Sequence, residues 1–350
     1  MTQNVHHAPI LTGNFVGSSW DASPFLLTPY AQAIADAYPI QIPWYLSIPI
    51  TTKASAIGPN APLFPQFYGA QSRPQQYDVL ILGFSLAANF NDWFTARTVN
   101  RLSIQITHQE TGIPWVEPIA IGYAPLLSLA GLSVTPPPGG TLFPRMPIMR
   151  LPEAFFFPRN TLLKYQWTQM TTDSLPPVTV VLTFHGIQLV MDANKEAPRY
   201  VTMPDKTIVK VGSRVPWFGV VPYGRRGAVG RFFGDFTLPT GEQYVQFLPP
   251  SDCNVELHDV YANFTATFID SQNYTVKLNN LRAGSDWTPG FTPSMAFAGD
   301  ELKANPAAPF TKPYVIELRH RLSVVEQNNA IADTPNACTL TFRGVRRCQY

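Results

Sequence analysis

Charge is scarce in this chain: Lys, Arg, Asp and Glu make up 14% of its 350 residues, where roughly 25% is usual for a soluble globular protein. A freely diffusing two-domain protein needs a charged surface to stay dispersed, so the shortage argues for a surface covered by partners. The net charge of +2 is also too small for sequence-independent DNA binding as a main task, and no direct nucleic-acid contact is expected. Cysteine is nearly as rare. Cys253, Cys338 and Cys348 are odd in number and lack CxxC or Cys/His spacing, which excludes a zinc module and predicts reduced thiols rather than a disulfide framework.

Other absences narrow the field further. The longest stretch without charge, between Glu117 and Arg145, is broken by Gly122, Pro125, Gly131 and Pro136 to Pro138, so it cannot form a membrane-spanning helix. Residues Met1 to His7 have no basic segment followed by an apolar one, and no secretory signal is read there. The sequence contains no GxSxG, P-loop, GxGxxG or HExxH, and its six histidines, His6, His7, His108, His185, His258 and His320, show no ligand spacing. Catalytic residues, cofactors and metals are therefore not expected.

Proline is abundant instead. Its 35 residues are about twice the usual share of roughly 5%, dispersed along the chain, where they disfavour helices and punctuate strands and loops. A second positive feature is a near-repeat. Leu182-Thr183-Phe184-His185-Gly186 returns as Leu340-Thr341-Phe342-Arg343-Gly344, in each case with Leu and Phe on one face of a strand and Thr on the other. Upstream, Phe155 to Leu162 reads against Val315 to Leu322.

Five regions follow. Residues 1–45 form an extended arm around one helix, Pro29 to Ala37; Phe15, Trp20, Phe25, Leu27, Tyr30 and Trp44 are the side chains expected to grip a neighbouring subunit, since a large apolar side chain left in water costs about 1.5 to 3 kcal/mol. A frayed terminus is the alternative. Residues 46–190 read as a first β-sandwich module with strands Tyr45–Ile50, Val79–Ala87, Arg101–Thr107, Ile119–Leu126, Phe155–Trp167 and Val178–Val190. Residues 191–240 read as a connector with a strand-like Thr207–Val211 and a Gly-Arg loop, whose Arg214, Arg225, Arg226 and Arg231 form a possible basic contact. Residues 241–350 read as a second module, with strands Glu242–Leu248, Asn254–Phe268, Tyr274–Asn279, Tyr314–Gln327 and Ala337–Gln349.

The run Phe155-Phe156-Phe157-Pro158-Arg159-Asn160-Thr161-Leu162, followed by Val181 to Gly186 and repeated more loosely before Leu340 to Gly344, resembles the jelly-roll structural proteins of bacteriophage virions. That resemblance implies an all-β fold of two tandem jelly-roll-like β-sandwich modules with an extended N-terminal arm. It also implies a non-enzymatic capsid, collar or tail component, assembled in the host cytoplasm, whose partners are itself and other virion proteins. One competing reading remains. Asp92-Trp93 and Asp286-Trp287 each set an acid beside a stacking ring, the equipment of a glycan site; at strand ends the same pairs also serve as turn and packing residues. A glycan- or receptor-binding module is thus the alternative, and a glycoside hydrolase a remoter one.

Overall fold

The computed structural model describes residues 27–51, 68–71, 76–88, 102–108, 112–117, 124–125, 149–169, 179–192, 195–226, 236–248, 253–264, 274–280, 284–288, 290–293, 308–318, 320–329 and 338–348. Apart from the helix α1 (Pro29–Asp36), the regular structure among them is strand. Thr28 starts α1 by accepting the Ala31 N–H on its hydroxyl at 3.2 Å, and Pro29 fits the first turn, where no backbone donor is needed. The helix buries Tyr30, Ala31, Ile34 and Ala35, one face at helical spacing.

The first module contains β1 (Ile40–Thr51), β2 (Tyr68–Gln71), β3 (Asp78–Ala88), β4 (Leu102–His108), the short β5 (Val116–Glu117), β6 (Ala124–Pro125), β7 (Met149–Phe157), β8 (Leu163–Gln169) and β9 (Thr179–Val190). One sheet runs β1-β9-β3-β7 and the other β2-β8-β4-β6, all antiparallel. Between the modules, β10 (Tyr200–Thr202) and β11 (Ile208–Lys210) form a hairpin that packs with α1 on Leu80, Phe156 and Leu189.

The second module contains β12 (Arg214–Pro222), β13 (Arg225–Arg226), β14 (Phe236–Thr237), β15 (Gln243–Leu248), β16 (Asn254–Phe264), β17 (Tyr274–Asn280), β18 (Ser285–Asp286), β19 (Thr292–Pro293), β20 (Ala308–Ile316), β21 (Leu322–Asn328) and β22 (Cys338–Arg347). Its sheets run β12-β22-β16-β20 and β15-β21-β17-β18, with β13 and β14 pairing apart. Setting aside β5, the β13–β14 ladder and β19, which adds only a short pairing to β17, each module has eight principal strands among the described residues. Counted along the chain, both show the orders 1-8-3-6 and 2-7-4-5. That shared order makes each module a jelly roll, two four-stranded sheets wound from one chain, and the fold is all-β as the sequence implies.

Several boundaries differ from the sequence reading. Phe155–Trp167 is two strands, β7 and β8, in opposite sheets, because Pro158 to Asn160 turn the chain; Asn160 takes φ 62° and the Thr161 hydroxyl donates to the Pro158 carbonyl at 2.6 Å. Tyr314–Gln327 divides likewise into β20 and β21. The strand β12 lies inside the 191–240 segment, yet it pairs with β22 along nine residues and opens the second module. Cys253 and Cys348 are joined by a disulfide with Cα atoms 5.2 Å apart, against the expectation of reduced thiols. The cause is register: Asn254 pairs with Arg347, so the residues just outside that pair meet.

Candidate functional site

The modules are joined along one side of the second jelly roll. β5, a segment of the first module, adds to the second module's sheet in parallel with β12, Val116 opposite Phe218 and Glu117 opposite Gly219. The Phe218 N–H donates to the Trp115 carbonyl at 2.8 Å. From β12, Val215, Phe218 and Val220 enter the same apolar core as Trp115, Phe155 and Phe184, so the first core is completed by the second module.

Three ion pairs, two of them buried and that of Arg214 part-buried, secure this junction. Arg343 donates from Nε and Nη2 to both oxygens of Asp259 at 2.6 Å and from Nη1 to the Arg150 carbonyl on β7 at 3.2 Å. Arg346 donates to Glu117 Oε2 at 2.6 Å and to the Pro114 carbonyl at 3.0 Å, while the Trp217 indole N–H reaches the same carboxylate oxygen at 2.8 Å. Arg214 pairs with Glu153 at 2.8 Å and lies 4.8 Å from the centre of the Tyr30 ring; the Thr28 hydroxyl donates to the other oxygen of Glu153. A buried charge is tolerable only when its hydrogen-bonding positions are filled, and here the partners come from segments distant in sequence. Sequence reasoning misses Glu117, Glu153 and Asp259 because no local spacing links them to their arginines.

The expected arm residues divide. Tyr30 is fully buried; its hydroxyl accepts the Gly212 N–H at 2.7 Å, and burial raises its pKa to about 12. Trp44 belongs to the first module's core and Leu27 packs beside α1. Tyr30 and Trp44 are therefore spent within the chain, Leu27 is partly buried, and Phe15, Trp20 and Phe25 lie outside the described residues. In the basic group, Arg214 is the partner of Glu153, Arg225 sits 3.7 Å from Glu242 and over the Tyr244 ring, Arg226 is in β13, and Arg231 is outside the described residues. The structure thus gives Arg214 and Arg225 separate, acid-paired surroundings.

The glycan candidates show a similar division. Asp92 and Trp93 lie outside the described residues. Asp286 pairs with Lys277 at 2.7 Å, and Trp287 stands edge-on to Tyr314 with centroids 4.5 Å apart, half-buried against the second core. A cleft of about 580 Å³ lies elsewhere, beside the β10–β11 hairpin, lined by Phe156, Arg159, Glu196, Arg199 and Tyr200 among others. Its one buried acid, Asp78, already accepts the Tyr38 hydroxyl at 2.8 Å and the Arg159 N–H at 2.7 Å. Among the described residues no cluster of three or more His, Cys, Asp or Glu could hold a metal.

Burial also shifts Glu326 and His185. Glu326, on the inner face of β21, has no exposed surface; burial holds its carboxyl well above the usual range, opposed by hydrogen bonds from the Gly224 N–H and the Gln246 amide. Burial likewise lowers His185 to about 4, and its Nε2 lies 2.7 Å from the Ser85 hydroxyl.

Exposed apolar side chains concentrate on outer strands: Ile40, Ile42 and Tyr45 on β1, Val245 and Phe247 on β15, and Val315 on β20. Further exposed side chains, Tyr200 and Ile208, occupy the linker hairpin.

No known family's sequence pattern matches the chain, and no curated protein matches it. Similar solved structures include the STIV MCP, at 9% identity and a TM-score of 0.38 over 87% of this chain and 96% of that one. A chain from the atomic structure of Sulfolobus Turreted Icosahedral Virus shows 12% identity and a TM-score of 0.31 over 87% and 90%. The CUB1-EGF-CUB2 domains of rat MASP-1 reach 8% identity and a TM-score of 0.19 over 85% and 96%. Likenesses this distant carry no argument, and the jelly-roll description rests on strand order alone.

Proposed function

We propose that this protein is a non-enzymatic structural component of a virion, which self-assembles and meets its neighbours through sheet edges and its N-terminal segment. The observation that carries the reading is the pair of jelly rolls with one strand order, locked together by ion pairs, with apolar side chains left on the outer strands. A fixed two-module block with uncovered edges is suited to tiling, because each edge is a row of backbone donors and acceptors awaiting a partner. The shortage of charge points the same way.

The test is the mass of the purified chain by light scattering, with the same sample viewed by negative-stain electron microscopy. Rings, trimers or shells are expected. A stable, dispersed monomer at all concentrations would overturn the proposal. The N-terminal contribution is tested by deleting residues 1–26, which spares α1 and β1; a deletion through 45 would remove α1 and Trp44 from the apolar clusters they fill. The shortened protein should keep its folded β spectrum and lose assembled mass. A second reading, glycan binding at Asp286 and Trp287, draws on their position side by side at the surface, and Trp287→Ala on a glycan array tests it; unchanged retention on every glycan would exclude it.

A further inference from the structure

The outer strands are not equally guarded. β1 carries Pro43 and Pro49, six residues apart and so on the same edge of the strand; because a proline cannot donate into the ladder with β9, both interrupt the outward row of donors. β20 carries Pro309, Lys312 and Pro313, again the residues that keep an edge from pairing. β7 carries Pro152 and is covered by the second module, whose Arg343 donates to its Arg150 carbonyl. β15 differs. Its sequence, Gln243-Tyr244-Val245-Gln246-Phe247-Leu248, has neither proline nor charge, and it is the outer strand of its sheet among the described residues. Val245 is 43% and Phe247 42% exposed, while Gln246 and Leu248 point inward and anchor the strand, Gln246 through its bond to Glu326.

We propose that β15 is a homotypic docking edge: two copies of this chain pair their β15 strands antiparallel across a two-fold axis, so that the sheet β15-β21-β17-β18 continues into the neighbour. This rests on the assembly reading above and specifies one of its contacts. Antiparallel self-pairing centred on Val245 sets Val245 opposite its counterpart and Phe247 opposite Gln243. Each cross-strand pair from Gln243 to Phe247 is then neutral, with Val245 against Val245 at the centre, and a two-fold contact of this kind is self-complementary. Five paired residues, Gln243 to Phe247, bury far less than the ~800 Å² per partner of a standard stable interface, so the edge works as one of several contacts in a larger assembly.

The test introduces Val245→Cys into the full chain and applies a mild oxidant, with Ile208→Cys, at a 71% exposed position, as the collision control. Denaturing gels without reductant should show a covalent dimer for Val245→Cys at several times the control level. A companion variant, Phe247→Lys, places a charge on each side of the joint and should lower the assembled mass by light scattering while leaving the thermal midpoint of the subunit unchanged. Assembly that persists in Phe247→Lys, with Val245→Cys no more cross-linked than the control, overturns the β15 contact and leaves the assembly reading standing. A wild-type chain that stays monomeric removes both.

Discussion

A methyl group has no room at positions 186 and 344. A Cβ on Gly186 would lie 2.3 Å from the Leu80 carbonyl oxygen, and one on Gly344 would lie 2.4 Å from that of Glu256. Each glycine faces a register shift in the neighbouring strand, between Ile81 and Gly83 in β3 and between Leu257 and Asp259 in β16; the bulge brings the carbonyl inward and only glycine admits it. Gly344→Ala and Gly186→Ala should each cost about 1 to 3 kcal/mol, the usual penalty of forced overpacking, in urea titrations. Glu326 gives a prediction in pH. Its folded-state pKa is raised, so below the unfolded value of about 4.3 both states hold the proton and nothing is lost. As pH rises past that point the unfolded chain releases its proton while the native one keeps it, and stability falls until the buried carboxyl itself ionises. Glu326→Gln, which copies the neutral form, should match wild type near pH 4 and exceed it increasingly towards pH 7. A parallel pair of stability curves would contradict this.

Among the elements, the junction decides most. Arg343 and Asp259 are both nearly buried, so removing one partner strands the other's charge. Arg343→Met should destabilise by about 3 to 5 kcal/mol, whereas Arg343→Met with Asp259→Leu should recover most of that loss. Chemical denaturation of the single and double variants measures both. The strands themselves were largely legible in sequence: β3, β4, β9, β15, β17 and β22 fall close to their expected spans, because runs rich in β-branched and aromatic residues between turn residues mark a strand whether one face or both are buried. The turn at Pro158 to Asn160 was also visible in residue type, but one apolar run on each side disguised the change of sheet. β12 was passed over for a different reason. Pro216, Gly219 and Pro222 interrupt its apolar run, and proline and glycine inside a run weaken a strand reading.

For the whole molecule, the disulfide is the informative staple. Cys253 and Cys348 are 95 residues apart and enclose most of the second module, so Cys348→Ser should cost about 2 to 5 kcal/mol on the loop-closure estimate. The same loss should appear on treating wild type with reductant under mild denaturant. If reduction leaves the unfolding midpoint unchanged, the bond contributes nothing in solution.

The amino-acid sequence by itself determined the all-β character, the two modules and the early helix, because proline spacing, strand-forming runs and capping residues act over a few neighbours. It also exposed the glycine repeat, though not its cause. The tertiary structure alone decided which arginine meets which acid, that Tyr30 and Trp44 are spent inside the chain, that two of three cysteines meet, and which strands lie at sheet edges. Each of those depends on strand order and register, and register is settled by contacts between residues tens to hundreds of positions apart, which no local pattern encodes.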